Sequence, residues 1–287
     1  MSRVDVRKTH KLFIGGAFPR SESGRTYEVT DSKEQFLANM ALASRKDARD
    51  AVLAARSAVA KWSAATAYNR GQVLYRIAEV MEGRREQFIS EVSDCEGVSS
   101  RKAGAHVDAA IDRWVWYAGW ADKYAQVIGN TNPVAGPLFN FSVPEPTGVV
   151  AAVAPQDASV LGLVSVVAPI IVTGHAVSVM PSSSRPIPAI TLAECLATSD
   201  VPAGVVNILT GAPAEVMPWL AEHADVNALD LTGIVDEGVA ADLERSAAGT
   251  VKRVRGAAPH ADWHATPSLS RMRAFVEVKT VWHPMGV

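Results

Sequence analysis

Five short apolar runs decide the fold: GVVAAVA at 148–154, AVSVM at 176–180, VVNIL at 205–209, NALDL at 227–231 and TVKRV at 250–254. Each is too short for a helix, and the first three are near-continuous apolar runs rich in valine. A strand without a polar alternate face is covered on both sides. Between the runs lie helix-length stretches at 161–171, 187–198, 214–222 and 237–248. Spacers of that length imply crossover connections, so the spacing predicts an α/β fold: a doubly wound, Rossmann-like parallel sheet over 147–255.

Working outward, residues 130–146 hold five Pro or Gly residues around LFNFSV, which predicts a bridging hairpin. Upstream, 31–129 is expected to be helical. Ser44 can cap a helix with Asp47 in its first turn, and Ala48, Val52, Ala55 and Val59 then recur at helical spacing. Trp114, Trp116, Tyr117 and Trp120 lie on a later helix; with no basic residues interleaved they read as core rather than as a base-stacking platform. LFIGGAF at 12–18 followed by RTYEV at 25–29 has the grammar of a β-hairpin, giving an N-terminal β arm over 1–30. On the other side, 256–270 reads as a Gly, Ala, Pro and His-rich linker. The tail AFVEVKTVW at 274–282 alternates with period two and predicts a strand within 271–287.

The 287 residues include 48% apolar and 20% charged residues, which describes a folded globular chain. A net charge of -2 gives no reason to expect nucleic acid or an anionic membrane as partner. Two cysteines make no disulfide framework, so a reducing, cytoplasmic setting is expected. The charged start MSRVDVRKTHK is not read as a secretory signal, and no apolar run reaches bilayer length.

Several motifs in order resemble the aldehyde dehydrogenase superfamily: YAGWADK at 117–123, PEPTGVVAAVAP at 144–155, PAGVVNILTG at 202–211, LAEHADVNALDLTG at 220–233 and VKTVW at 278–282. The resemblance implies a cofactor domain of NAD- or NADP-dependent enzymes, with the hairpin and tail strand forming a small oligomerisation arm. The positions that carry the family's chemistry differ. Where the family has Trp-Asn after the first strand, with the amide on the oxyanion, this chain has Gln156 and Asp157. A carboxylate at Asp157 opposes a developing negative charge. The family's KPSE, which holds the adenosine ribose, is Met180-Pro181-Ser182-Ser183 here. Its phosphate-side GSTxxG turn is Gly233-Ile234-Val235-Asp236-Glu237-Gly238, which keeps the glycines, loses the hydroxyls and adds two acids. LELGGK, with the general-base Glu, corresponds to RVRGAAP at 253–259, and the block with the catalytic Cys is absent.

These departures leave no catalytic residue and at most a degenerate cofactor site at Pro181, Ser182, Gly233 and Gly238. No cofactor is expected, and any NAD or NADP binding should be weak. Cys95, between Asp94 and Glu96, and Cys195, among apolar neighbours, read as unreactive thiols. Ser182, Ser183, Ser184 and Arg185 have phosphate-binding chemistry, but read more simply as a polar loop capping the next helix. His260 and His264 have the spacing of paired metal ligands; with flanking prolines and no third ligand nearby, a flexible linker is the simpler reading. No metal is expected.

The leading expectation is a noncatalytic aldehyde dehydrogenase-like scaffold or regulatory subunit without the catalytic domain. Its partners would be itself or a complete aldehyde dehydrogenase. The tail strand, lacking an intramolecular layer to cover it, would build an intersubunit sheet and bury the face of Val276, Val278, Thr280 and Trp282. Two alternatives stand: an NAD(P)-dependent aldehyde oxidoreductase subunit completed by a partner chain, and a nucleotide-binding regulator using the Gly233–Gly238 turn.

Overall fold

The computed structural model describes residues 7–259 and 261–286. The chain opens with strands β1 (Thr9–His10), β2 (Thr26–Thr30) and β3 (Phe36–Ala41). Helices α1 (Arg45–Ala64), α2 (Ala67–Glu82), α3 (Arg85–Glu96), α4 (Ser100–Trp120) and α5 (Tyr124–Ile128) follow. After β4 (Asn130–Asn132) and β5 (Leu138–Pro146), strands and helices alternate. They are β6 (Val149–Val153), α6 (Leu161–Val172), β7 (Ala176–Met180), α7 (Ile187–Ala197), β8 (Val206–Ile208), α8 (Pro213–Glu222), β9 (Ala228–Asp230), α9 (Glu237–Ala248) and β10 (Arg253–Arg255). Helix α10 (Ser270–Arg273) leads into β11 (Val276–Pro284).

The central sheet is five-stranded, parallel throughout, in the order β10-β9-β6-β7-β8. Every residue of β6 and β7 is buried, as the apolar runs require. One face packs on α1, α8 and α9 through Ala51, Val52, Leu220 and Leu243. The other carries α6 and α7, with α2, α3 and α4 outside them. Helix α6 is buried along its whole length, so its last carbonyls cannot reach water. Trp62 Nε1 donates to Ile171 O at 2.8 Å and Arg70 Nε to Val172 O at 2.9 Å. Helix α1 starts where Ser44 and Asp47 close a reciprocal capping box.

The structure corrects three expectations. The partner of β2 is β3, antiparallel, while Phe13 of the LFIGGAF segment bridges to Ile208 of the central sheet. The stretch expected to be helical from residue 31 therefore begins with a strand. Strand β10 starts at Arg253 rather than at Thr250, because the chain leaves α9 through a turn with Val251 at φ 54. The 256–270 segment is pinned: buried Arg113 donates to Trp263 O at 2.7 Å and to Ala265 O at 3.0 Å, and Trp263 is itself buried. At the tail, β11 is an edge strand, with one edge paired within the chain and the other at the margin of the sheet. It runs antiparallel to β5 from Val276↔Pro146 to Pro284↔Leu138, in a three-stranded sheet β11-β5-β4.

Strands β6 and β9 are neighbours, although two other strands separate them in the chain, so the strand order reverses there. Such a switch point opens a crevice at the carboxyl ends of the strands, where ligands of doubly wound sheets bind. Gly233 sits in that corner, its N–H on Val153 O at 2.9 Å. A Cβ at Gly233 would run into the carbonyl oxygen of Ala154, whereas one at Gly238 would meet only Asp236 Oδ1, at 3.1 Å. Gly233→Ala should therefore cost at least about 3 kcal/mol in urea denaturation, against about 1 kcal/mol or less for Gly238→Ala. Equal effects would show that Gly233 is not held by this packing.

Candidate functional site

The switch-point crevice has a volume of about 240 Å³ and is lined by Pro155, Gln156, Asp157, Thr232, Gly233, Val235 and Pro259. Its first wall is the loop after β6. The Gln156 side chain donates from Nε2 to Ala154 O at 2.8 Å, and its Oε1 accepts from Ser183 N at 2.9 Å and Ser183 Oγ at 3.2 Å. Ser182 Oγ donates to Gln156 O at 2.8 Å, and Arg185 Nη1 to Asp157 O at 2.7 Å. The two loops at the ends of β6 and β7 are stitched together, and the Gln156 amide and the Ser182 and Ser183 hydroxyls are already paired. The serine run does not cap α7, whose N-cap is Pro186 with no side-chain bond; its hydroxyls serve this stitch instead.

Met180 lies fully buried in the apolar cluster with Leu209 and Leu231, so no polar group from that position reaches the crevice. Pro181 and Ser182 are buried behind the loop. Ile234 turns inward and is buried, and Val235 is exposed on the rim. The Asp236 carboxylate accepts from Val239 N at 2.9 Å and caps α9, with Glu237 in the first turn. A helix N-terminus already occupied by an acid has little left for an external anion. Asp157, exposed at the mouth, adds a further carboxylate. Of the four residues expected to form a degenerate cofactor site, Gly233 contacts the crevice directly, while Pro181, Ser182 and Gly238 are not among its lining residues.

The second wall comes from the linker. Ala258 N donates to Thr232 O at 3.2 Å, which brings Pro259 to the crevice. Arg271 Nη1 lies 3.3 Å from the carboxylate of Asp230, and its Nη2 donates to Thr232 Oγ1 at 3.3 Å. The same guanidinium sits over the Trp263 ring at 5.1 Å. Burial lowers the Arg271 pKa and the Asp230 carboxylate pushes it back up. This cluster was missed in the sequence, where the one available signal was a carboxylate, Asp230, inside an apolar strand.

No thiol substitutes for a nucleophile here. Burial pushes Cys95 up to about 12, with Glu91 adding to the shift, and pushes Cys195 up to about 11, only partly offset by Arg84. A thiol at such values is not a nucleophile near neutrality. Among the described residues no group of three or more His, Cys, Asp or Glu side chains converges as a metal site, and His260 lies outside them.

The sequence profile described as "Aldehyde dehydrogenase family" matches residues 18–256. The chain is 32% identical over 246 residues to the cytosolic 10-formyltetrahydrofolate dehydrogenase of Pongo abelii, covering 83% of this chain and 27% of that protein. It is 30% identical over 263 residues to aldehyde dehydrogenase, cytosolic 1, of Elephantulus edwardii, covering 88% and 51%. Among solved structures, the NAD+ complex of an aldehyde dehydrogenase from Bacillus cereus superposes with a TM-score of 0.81 at 27% identity, covering 86% of this chain and 50% of that one. The betaine aldehyde dehydrogenase of Staphylococcus aureus in complex with NAD+ gives 0.80 at 26%, covering 85% and 48%. The chain thus spans about half the length of these relatives or less. With the profile covering most of it and the switch-point sheet in place, the chain belongs to the aldehyde dehydrogenase family.

Proposed function

We propose that this chain is a noncatalytic member of its family, a scaffold or regulatory subunit that assembles with itself or with a complete aldehyde dehydrogenase. The observation that carries this reading is the acid-lined, internally hydrogen-bonded mouth of the crevice. Gln156 ties the β6 and β7 loops, Asp236 caps α9, and Asp157 faces the opening. An anionic cofactor and a developing oxyanion would both meet carboxylates there. The run from β10 to β11 is short, and part of it folds back on the sheet through Ala258, Trp263 and Arg271. Buried free thiols suit a reducing, cytoplasmic setting.

A second reading is an NAD(P)-dependent aldehyde oxidoreductase subunit whose active site a partner chain completes. It is favoured by the surviving crevice of about 240 Å³ and by the NAD+ complexes among the structural neighbours. That volume is below the roughly 300–1,000 Å³ of small-molecule pockets, so a dinucleotide would have to open it. The two lost charged contacts at Met180 and Ser183 are each worth about 1.5–3 kcal/mol, enough to move a micromolar site to millimolar or weaker. Calorimetric titration of the chain with NAD and NADP should accordingly show no saturation below about 1 mM. No aldehyde-dependent NADH should form, and micromolar binding with turnover would replace the first reading by the second.

The assembly surface we assign is the β11-β5-β4 arm. In the single chain Val276 is buried, while Val278 and Trp282 on the same face are 55% and 59% exposed. With Phe139 on the opposite face also exposed, the arm presents apolar side chains on a sheet in which β11 is paired to β5 along one edge. Exposed apolar groups of this size on a soluble chain mark a contact surface. Light scattering of the intact chain, alone and with a full-length aldehyde dehydrogenase, should give an assembly. Val278→Glu with Trp282→Glu should convert it to monomer without unfolding. A monomeric intact chain under both conditions would remove the scaffold reading's main support.

A further inference from the structure

His264, which the sequence pairs with His260, is brought instead against His106 of α4. The two imidazole centres lie 5.0 Å apart with their planes tilted by 50°. His106 Nδ1 is 2.9 Å from Glu96 Oε2, and the Glu96 side chain is only 4% exposed. The other Glu96 oxygen accepts from Ser159 N at 2.8 Å and Ser159 Oγ at 2.7 Å. Glu96 is therefore a fully engaged acceptor, and His106 meets it as an Nδ1–H donor. The second ring nitrogen, Nε2, then carries the lone pair. A carboxylate behind a histidine is how proteins orient an imidazole toward a metal ion.

We propose that His106 and His264 form a binding site for a divalent transition ion of the zinc class, which clasps the linker onto the helical layer. The spacing supports this. With a Zn–N bond of about 2.0–2.1 Å and the ring centre about 1.1 Å behind the nitrogen, two imidazoles at a tetrahedral angle have centres about 5.2 Å apart. The observed separation is within a few tenths of an ångström of that. His264 is exposed, no described residue hydrogen-bonds its ring, and its backbone N–H on Asp262 Oδ1 at 2.9 Å fixes the turn that presents it. The His106 side chain is 14% exposed, so the ion would lie at the rim, with water filling its remaining positions. With two of the described side chains contributing, the site is an exchangeable one of moderate affinity, unlike a closed four-ligand structural site.

The location gives the ion a consequence. His264 lies between Pro259, which lines the crevice, and Arg271, which holds Asp230. On the other side, Glu96 connects His106 to Ser159, just before α6 and near the Gln156 loop. Bound metal would tie both crevice walls to one point. This proposal does not depend on whether the crevice binds a cofactor.

The test is titration of tag-free protein with zinc chloride, read by calorimetry and by the thermal unfolding midpoint, with protease cleavage within 256–270 followed in parallel. The expected result is one saturable ion per chain, a raised midpoint and slower linker cleavage. His264→Ala, at an exposed position, should fold normally and weaken binding at least tenfold. Glu96→Gln, which removes the orienting charge, should weaken it by about ten- to a hundredfold. His283→Ala, on the exposed β11, should leave binding unchanged. Absence of any zinc response in the intact chain overturns the proposal, as does zinc binding that His264→Ala leaves intact.

Discussion

Val149–Val153 is wholly buried, and the molecule is arranged around the need to cover that strand on two faces and at one end. A parallel strand with no polar face cannot stand at a surface, so two helical layers are obligatory. One of those helices, α6, is then buried too, and its terminal carbonyls require donors from outside. Trp62 and Arg70 supply them, which ties α1 and α2 to the sheet. Arg113, on α4, reaches Ser165 of α6 with one nitrogen and the linker carbonyls with another. The linker is thus part of the same chain of obligations.

The carboxyl end of the sheet is where a doubly wound fold leaves room for chemistry, and here the chain's own side chains narrow that room to about 240 Å³. Gln156 occupies hydrogen-bonding positions on both neighbouring loops, and Arg271 brings a guanidinium onto Asp230 and Thr232. A buried carboxylate without a partner would be costly, so Asp230 and Arg271 are mutually required. A strand-end carboxylate engaged this way binds the linker and not an external ligand. The acids at 157, 236 and 237 set the sign of the field at the opening.

How much of this could be read from the sequence follows physical lines. The parallel sheet was legible because continuous valine runs at helix-length spacing have few other solutions, and α9 was bounded correctly because Asp236 caps it. The N-terminal pairing was not, because β2 and β3 are short and the competing LFIGGAF run is apolar for a different reason: Phe13 completes the central sheet through Ile208. The start of β10 was misplaced because Val251 adopts a left-handed conformation that a β-branched residue seldom takes. At the site, the substitutions at 157, 180, 234 and 236 were visible by position. The stitch by Gln156 was not, since it depends on which loop a side chain meets. The approach of His106 to His264, separated by well over a hundred residues, has no local signal at all.

The pairing of β11 with β5 changes the physical basis of any assembly. An unpaired strand edge would offer backbone hydrogen bonds and accept almost any extended partner. Here the edge of β11 that faces β5 is paired along the whole strand, while its other edge lies at the margin of the sheet. Side chains reinforce the sheet: Asn132 Nδ2 donates to Asn140 Oδ1 at 2.6 Å and to Ser142 Oγ at 2.9 Å between β4 and β5, and Ser142 meets Thr280 of β11 at 2.9 Å. With that edge of β5 closed, the arm's distinguishing feature is its apolar side chains, Trp282 above all. Association through side chains demands shape complementarity, which backbone pairing does not, so it selects among partners far more sharply. A chain whose crevice is narrowed by its own residues and whose β11 is paired to β5 along one edge has, in those side chains, its most specific surface.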